Sequence, residues 1–251
     1  ATVVLGSGAD QREVTLSRGF YLDRTEVTVR AYQACVAERR CSPADHVSVT
    51  PEQPAGEAGG TAAPPAIDQE FAAQWTRRCN APRGEVQHPV NCVDYRSAEE
   101  YCRFRGRRLP TEAEWELAAR GTALRTYSWG QEPPSCERAC FDRNESCRPR
   151  GAGVETCMAG GYPADKTPEG IYDLAGNVAE WVSDGFAMPP PGGTDPRGDP
   201  GAPLKVVRGG SFFDGAAKLA ATWRTAAAPV TAHATIGFRC AMDAPPGAGT
   251  P

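Results

Sequence analysis

Ten cysteines in a chain of 251 residues constrain this fold more than any other feature. An even number at scattered spacings is what an oxidising compartment produces, whereas a reducing cytosol keeps thiols free and few. The chain is therefore expected to be exported (periplasmic, cell-surface or secreted) and disulfide-stabilised. The short separation of Cys35 and Cys41 predicts a staple across a helix end, and Cys79 with Cys92 is placed to pin a loop. Cys136, Cys140, Cys147 and Cys157 allow three pairings, and the sequence does not choose among them. A zinc site built from those four is the rival reading, but the chain has no Cys-x-x-Cys pair and the residues between them are loop-like.

Apolar residues make up 40% of the chain, enough for a real core in one domain. A formal net charge of -4 without any long Lys/Arg run argues against nucleic acid or an anionic membrane surface as the main partner. No apolar run reaches the length of a membrane span, so no membrane insertion is expected. Arg103, Arg105, Arg107 and Arg108 form the densest basic patch and read as a solvated helix end. The chain begins at Ala1 without a Met, which fits removal of an export leader.

In chain order, Thr2 to Leu5, Glu13 to Leu16 and Gly19 to Asp23 read as strands that pair as an N-terminal sheet. Thr28 can cap a helix carrying Val29, Tyr32, Cys35 and Val36 on one face as far as about Arg39. Residues 42–87 are rich in Pro, Ala, Gly and Glu and read as a surface insertion, with Phe71 and Trp75 available to pack it on the body. His88 to Val93 is a strand candidate. Ser97 with Glu100, and Thr111 with Glu114, read as capping boxes of two successive helices ending at Gly106 and Gly121. Strands are expected at Val206 to Phe212, Thr222 to Arg224 and Ile236 to Cys240, and a disordered tail over 243–251. Asn144-Glu145-Ser146 is a glycosylation sequon.

The stretch Ile171 to Trp181, IYDLAGNVAEW, combines apolar anchors, a glycine bend and two carboxylates. Asp173 and Glu180 supply hard oxygen, Gly176 permits a tight turn, and Tyr172, Leu174 and Trp181 can fix both ends in a core. Such a loop suits a hard cation.

Several separated blocks share a family pattern: GFYLDRTEVTVRAY, HPVNCVDYRSAEEYC, RRLPTEAEWELAARG, YSWG, IYDLAGNVAEW, VVRGGSF and GFRCA. In this order the chain resembles the formylglycine-generating enzyme, or sulfatase-modifying factor, family. The resemblance implies an α+β fold: a single formylglycine-generating-enzyme-like domain over 1–242, C-type-lectin-related and low in regular secondary structure. It also implies structural calcium held by Asp173, the carbonyls of Gly176 and Val178, and Glu180, and a disulfide from Cys102 to Cys240. A second calcium site would fall around Cys140 to Asp142, where the chain departs too far for ligands to be assigned.

The family's oxidase chemistry rests on two cysteines after the Gly-Gly-Ser motif, whose thiolates bind copper(I). Here the matching positions carry Asp214 and Leu219, and Ala179 stands where those enzymes carry a tryptophan. Without soft thiolates no copper is expected. Ser211, Asp214, Arg224 and His233 are the residues available to the same groove, with His233 a candidate base or metal ligand. The sequence therefore favours a non-catalytic exported binding module recognising a protein or peptide ligand. The alternatives are an enzyme of altered chemistry, such as a metal-dependent oxidoreductase, and a structural envelope component.

Overall fold

The strongest local signals set the helices. Thr28 accepts a hydrogen bond from the Ala31 N–H and starts α1 (Val29–Ala37), while α2 (Gln69–Thr76) lies inside the insertion. A computed structural model describes residues 2–48, 69–142 and 155–245. Residues 49–68 of the insertion, the sequon and residues 246–251 lie outside the described residues. α3 (Tyr95–Phe104) starts earlier than the Ser97 capping box requires, because the Asp94 carboxylate takes the Ser97 N–H at 2.8 Å and is the cap. That brings Tyr95 into the helix, where it packs edge-on against Trp181 at 5.9 Å. α4 (Glu112–Arg120) opens on the reciprocal Thr111–Glu114 box and ends at Gly121.

The strands form three small sheets. β1 (Thr2–Leu5) and β2 (Arg12–Thr15) make an antiparallel hairpin. The expected third partner does not join them. β3 (Phe20–Leu22) pairs instead with the C-terminal end of the fold, as described below. The central sheet holds β4 (Ala179–Gly185), flanked by β6 (Lys205–Arg208), with β7 (Arg224–Ala227) outside it and β8 (Ile236–Phe238) on the other side. β4 runs antiparallel to β6 and parallel to β8. β5 (Gly193–Thr194) extends the hairpin beside β2, and β9 (Ala241–Asp243) is the antiparallel partner of β3. The strand thus takes in Asp243, the first residue assigned to the tail. Of His88 to Val93 only Pro89 pairs, in a single bridge with Thr28, so no strand forms there.

β4 decides how the core divides. Its side chains alternate, so Trp181 faces a cluster with Tyr32, Tyr101 and Phe238 from α1, α3 and β8, whereas Val182 joins Trp115 of α4, Leu174 and Val206. Both faces of the sheet are covered. Gly209, directly after β6, has φ +96°, and a Cβ there would meet the Trp115 ring at 3.1 Å, so the sheet end and α4 close together only with glycine.

Four disulfides are found among the described residues: Cys35–Cys41, Cys79–Cys92, Cys102–Cys240 and Cys140–Cys157. The last removes two sulfurs from the zinc reading, because a disulfide sulfur is not a thiolate ligand. Cys102–Cys240 ties α3 to the segment between β8 and β9 across 138 residues, which stabilises by about 5 kcal/mol in the chain-entropy account.

Candidate functional site

The last three residues of IYDLAGNVAEW are not loop but the start of β4, so Glu180 is presented from the central strand and Asp173 from the turn before it. Asp173, Gly176 and Asn177 all have positive φ, and a Cβ on Gly176 would collide with the Cys140 carbonyl at 2.5 Å. Leu174 and Trp181 anchor the turn in the two halves of the core, as the sequence pattern predicts.

Four carboxylates are buried around this turn: Glu26, Asp165, Asp173 and Glu180. Glu26 accepts from Asn177 Nδ2 at 3.0 Å and from the Val178 N–H at 3.2 Å. Asp165 accepts from Ser128 Oγ at 2.9 Å and from the Asp173 N–H at 3.0 Å, and Asp173 accepts from the Gly160 N–H. One guanidinium faces them. Arg239 binds both oxygens of Glu180 at 2.7–2.9 Å and donates to the carbonyls of Tyr172, Asp173 and Asp23, while Trp115 Nε1 donates to Glu180 at 2.8 Å. Burial pushes Glu26 well above the usual carboxylate range, and the charges of Asp173 and Glu180 push the same way. Asp165 and Asp173 are raised as well, by burial first.

This geometry tests the calcium set residue by residue. Asp173 fits, and the carbonyls of Gly176 and Val178 accept no hydrogen bond among the described residues. Glu180 fits less well, since both its oxygens serve Arg239 and Trp115. Among the described residues no three His, Cys, Asp or Glu side chains are spaced as a ready ligand set, so an ion here would draw on backbone carbonyls. What favours a cation is charge: fully ionised, the cluster sets four carboxylates against one guanidinium. Glu26 and Asp165 are the residues that sequence reasoning missed. Glu26 stands out only as an acid between the apolar positions of the TEV block, and Asp165 gives no signal of its own.

The groove residues do not converge as a group. Ser211 Oγ donates to Asp214 Oδ2 at 2.6 Å, and Lys218 Nζ pairs with Asp214 Oδ1 at 2.7 Å, so the carboxylate is neutralised on both sides. Leu219 is fully buried against Ala139, Phe141 and Ala175. Arg224 does not join them, because its guanidinium is held by both oxygens of Glu112 at 2.7 and 2.9 Å and lies over Phe186. His233 Nδ1 accepts the Thr235 N–H at 3.3 Å and lies 2.7 Å from Thr235 Oγ1. Burial and the nearby Arg78 charge push its pKa down to about 4, against the opposing pull of Asp214. Burial therefore favours the neutral ring at pH 7, and the contacts of Nδ1 with Thr235 fix its orientation.

What does meet His233 is the insertion. Trp75 of α2 lies 4.5 Å from the His233 ring and 4.9 Å from Phe213, with Arg78 4.9 Å over its own ring. The end of the insertion is firmly tied down by Cys79–Cys92 and by Asn80 and Asn91, whose amides bond each other's segment and the Pro89, Arg78 and Ala234 carbonyls. Trp75 thus lies against the groove's aromatic residues, while Phe71 and Phe213 stay 43% and 39% exposed beside it.

A disulfide-held mixed sheet-and-helix domain, with its signature turn feeding the central strand, defines a scaffold class before it defines an activity. The chain belongs to the sulfatase-modifying factor enzyme 1-like domain family, whose sequence profile covers residues 3–244. It is 34% identical to the formylglycine-generating enzyme of Streptomyces coelicolor over 259 aligned positions, covering 90% of this chain and 79% of that one. It is 36% identical to the inactive C-alpha-formylglycine-generating enzyme 2 of Mus musculus over 177 positions, covering 64% of this chain and 51% of the relative. Among solved structures, PvdO from Pseudomonas aeruginosa has the same fold, with a TM-score of 0.67 at 21% identity over 97% of this chain and 92% of that one. The fold is a single formylglycine-generating-enzyme-like domain. Its disulfides fit a non-cytosolic protein, and no helix among the described residues is long and apolar enough to cross a membrane.

Proposed function

We propose that this chain is an exported, non-catalytic binding module that recognises a protein or peptide ligand on the face where the insertion meets the family's groove. The observation that carries this is the packing of Trp75 against Phe213 and His233, which leaves Phe71 and Phe213 as an exposed aromatic face. Aromatic side chains supply large contact area at low entropic cost, which suits recognition. The two positions that carry the thiol pair in the family's oxidases hold an ion-paired Asp214 and a buried Leu219, and every cysteine among the described residues is in a disulfide. The mouse relative's printed name, an inactive enzyme, is in keeping with this reading.

Calcium is part of the proposal, held by Asp173, Glu180 and the carbonyls of Gly176 and Val178. Its role is structural: a divalent ion would balance the buried carboxylates and fix the turn that sets the groove wall. No copper is required.

The test has two arms. Peptides selected from a displayed library on the wild-type protein should lose binding to Phe71→Ser and Phe213→Ser variants, and retention by both would sink the binding face. Incubation with copper(I), oxygen and a cysteine-containing peptide should yield no aldehyde. Aldehyde formation would restore the catalytic reading.

A further inference from the structure

The arginines at the end of α3 do more than solvate a helix terminus. Arg103 pairs with Glu99 at 2.6 Å, Arg107 with Asp23, and Arg108 is held between Glu114 and Asp243. Arg105 has no acidic partner among the described residues. Arg24, in the turn after β3, has none either: its Nε donates to the Gly170 carbonyl at 3.3 Å and its guanidinium lies 5.9 Å from the Tyr172 ring. Arg24, Arg105 and Arg107 line one hollow of about 240 Å³. An adjoining hollow of about 180 Å³ shares Asp23, Arg24 and Arg107 and is walled by Tyr21 and Met242.

Tyr21 and Met242 are cross-strand partners in β3 and β9, 52% and 42% exposed. The two hollows therefore make one groove with an apolar end and a cationic end. Its three guanidinium groups against the Asp23 and Glu26 carboxyl groups give a local excess of positive charge, on a chain whose formal net charge is -4. A recess of this kind selects a ligand complementary at both ends.

We propose that this groove docks an acidic peptide segment carrying apolar side chains, with an apolar side chain between Tyr21 and Met242 and carboxylates facing Arg24 and Arg105. An anionic membrane fits less well, because the apolar pair lines a recess and the protein's net negative charge opposes approach to such a surface. The site shares no residue with the Phe71–Phe213 face and stands or falls separately from it.

The probe is a short fluorescein-labelled peptide alternating Glu and Leu, read by anisotropy at low and high salt on the whole chain. Binding should weaken as salt rises, and peptides alternating Glu with Ser or Lys with Leu should bind more weakly. Arg105→Glu, at an exposed position, should weaken binding by about fivefold or more. Tyr21→Ser should also weaken it, with both variants melting near the wild-type temperature. The proposal is overturned if Arg105→Glu and Tyr21→Ser bind like wild type, or if the three peptides bind alike. Capture by phosphatidylglycerol vesicles with no binding of the Glu–Leu peptide would overturn it in favour of a membrane surface.

Discussion

Two buried ionic clusters flank Trp115, and their charge balance runs in opposite directions. On one side Glu26, Asp165, Asp173 and Glu180 face Arg239, and Trp115 Nε1 donates into that cluster at Glu180. On the other, Arg12, Arg120, Arg208 and Arg224 pair with Glu112 and Glu116, and Arg208 lies 5.2 Å over the Trp115 ring. The consequences differ because a carboxylate can surrender its charge and an arginine cannot. Burial raises Glu26, Asp165 and Asp173, so excess acid is relieved by protonation or by a cation. Burial works to raise Glu112 too, but the charges of Arg208 and Arg224 outweigh it and hold the group below its usual range. One cluster is thus permanently ionised and architectural, while the other is adjustable.

The largest expected effect is at the pivot of the adjustable cluster. Arg239→Met should cost about 3–5 kcal/mol in denaturant unfolding, since Glu180 is left buried and unpaired. Glu116→Gln, in the arginine-rich cluster, should cost about 3 kcal/mol, whereas Glu26→Gln should cost about 1 kcal/mol because burial and the neighbouring carboxylates already disfavour the Glu26 charge. Equal costs for those two substitutions would break the comparison. Calcium at a hundredfold excess over its dissociation constant should add about 2.7 kcal/mol, and a melting curve indifferent to chelation would remove the ion from the account.

A pH profile separates His233 from the carboxylates. Its folded pKa of about 4 lies below the usual imidazole value of 6.5, so the unfolded chain binds the proton more tightly and stability falls as pH drops from 6.5 toward 4. That loss is about 3 kcal/mol. The raised carboxylates act oppositely: their contribution is full at acid pH and fades as pH rises through their folded pKa values. His233→Gln should therefore tilt the pH profile toward greater acid stability relative to neutral, and an unchanged profile would show that His233 does not titrate as described.

Local chemistry was legible wherever one side chain answers one backbone need. The Thr28 cap and the Thr111–Glu114 box are examples, and so are the anchors Leu174 and Trp181. Asp94 displaced Ser97 as the α3 cap because two neighbouring residues were both good acceptors, and spacing alone does not rank them. His88 to Val93 has strand-like composition, yet a strand needs a partner, and there only Pro89 finds one. The candidate site divides the same way: Asp173 sits in the loop its motif marks, whereas Arg224 is drawn to Glu112, which lies far from it in sequence.

By itself the sequence determined the family, through blocks whose order survives a long insertion, and its even count of cysteines pointed to disulfides. It also shows no cysteine between Cys157 and Cys240, which residue identity gives without coordinates. Only the tertiary structure decided which charges share a cavity. Glu26 and Glu180 lie far apart along the chain, and Arg239 meets Glu180 only because β8 docks parallel to β4. The energy of a buried charge depends on its neighbours in space and on the water they exclude, and neither is written in the spacing of residues along a chain.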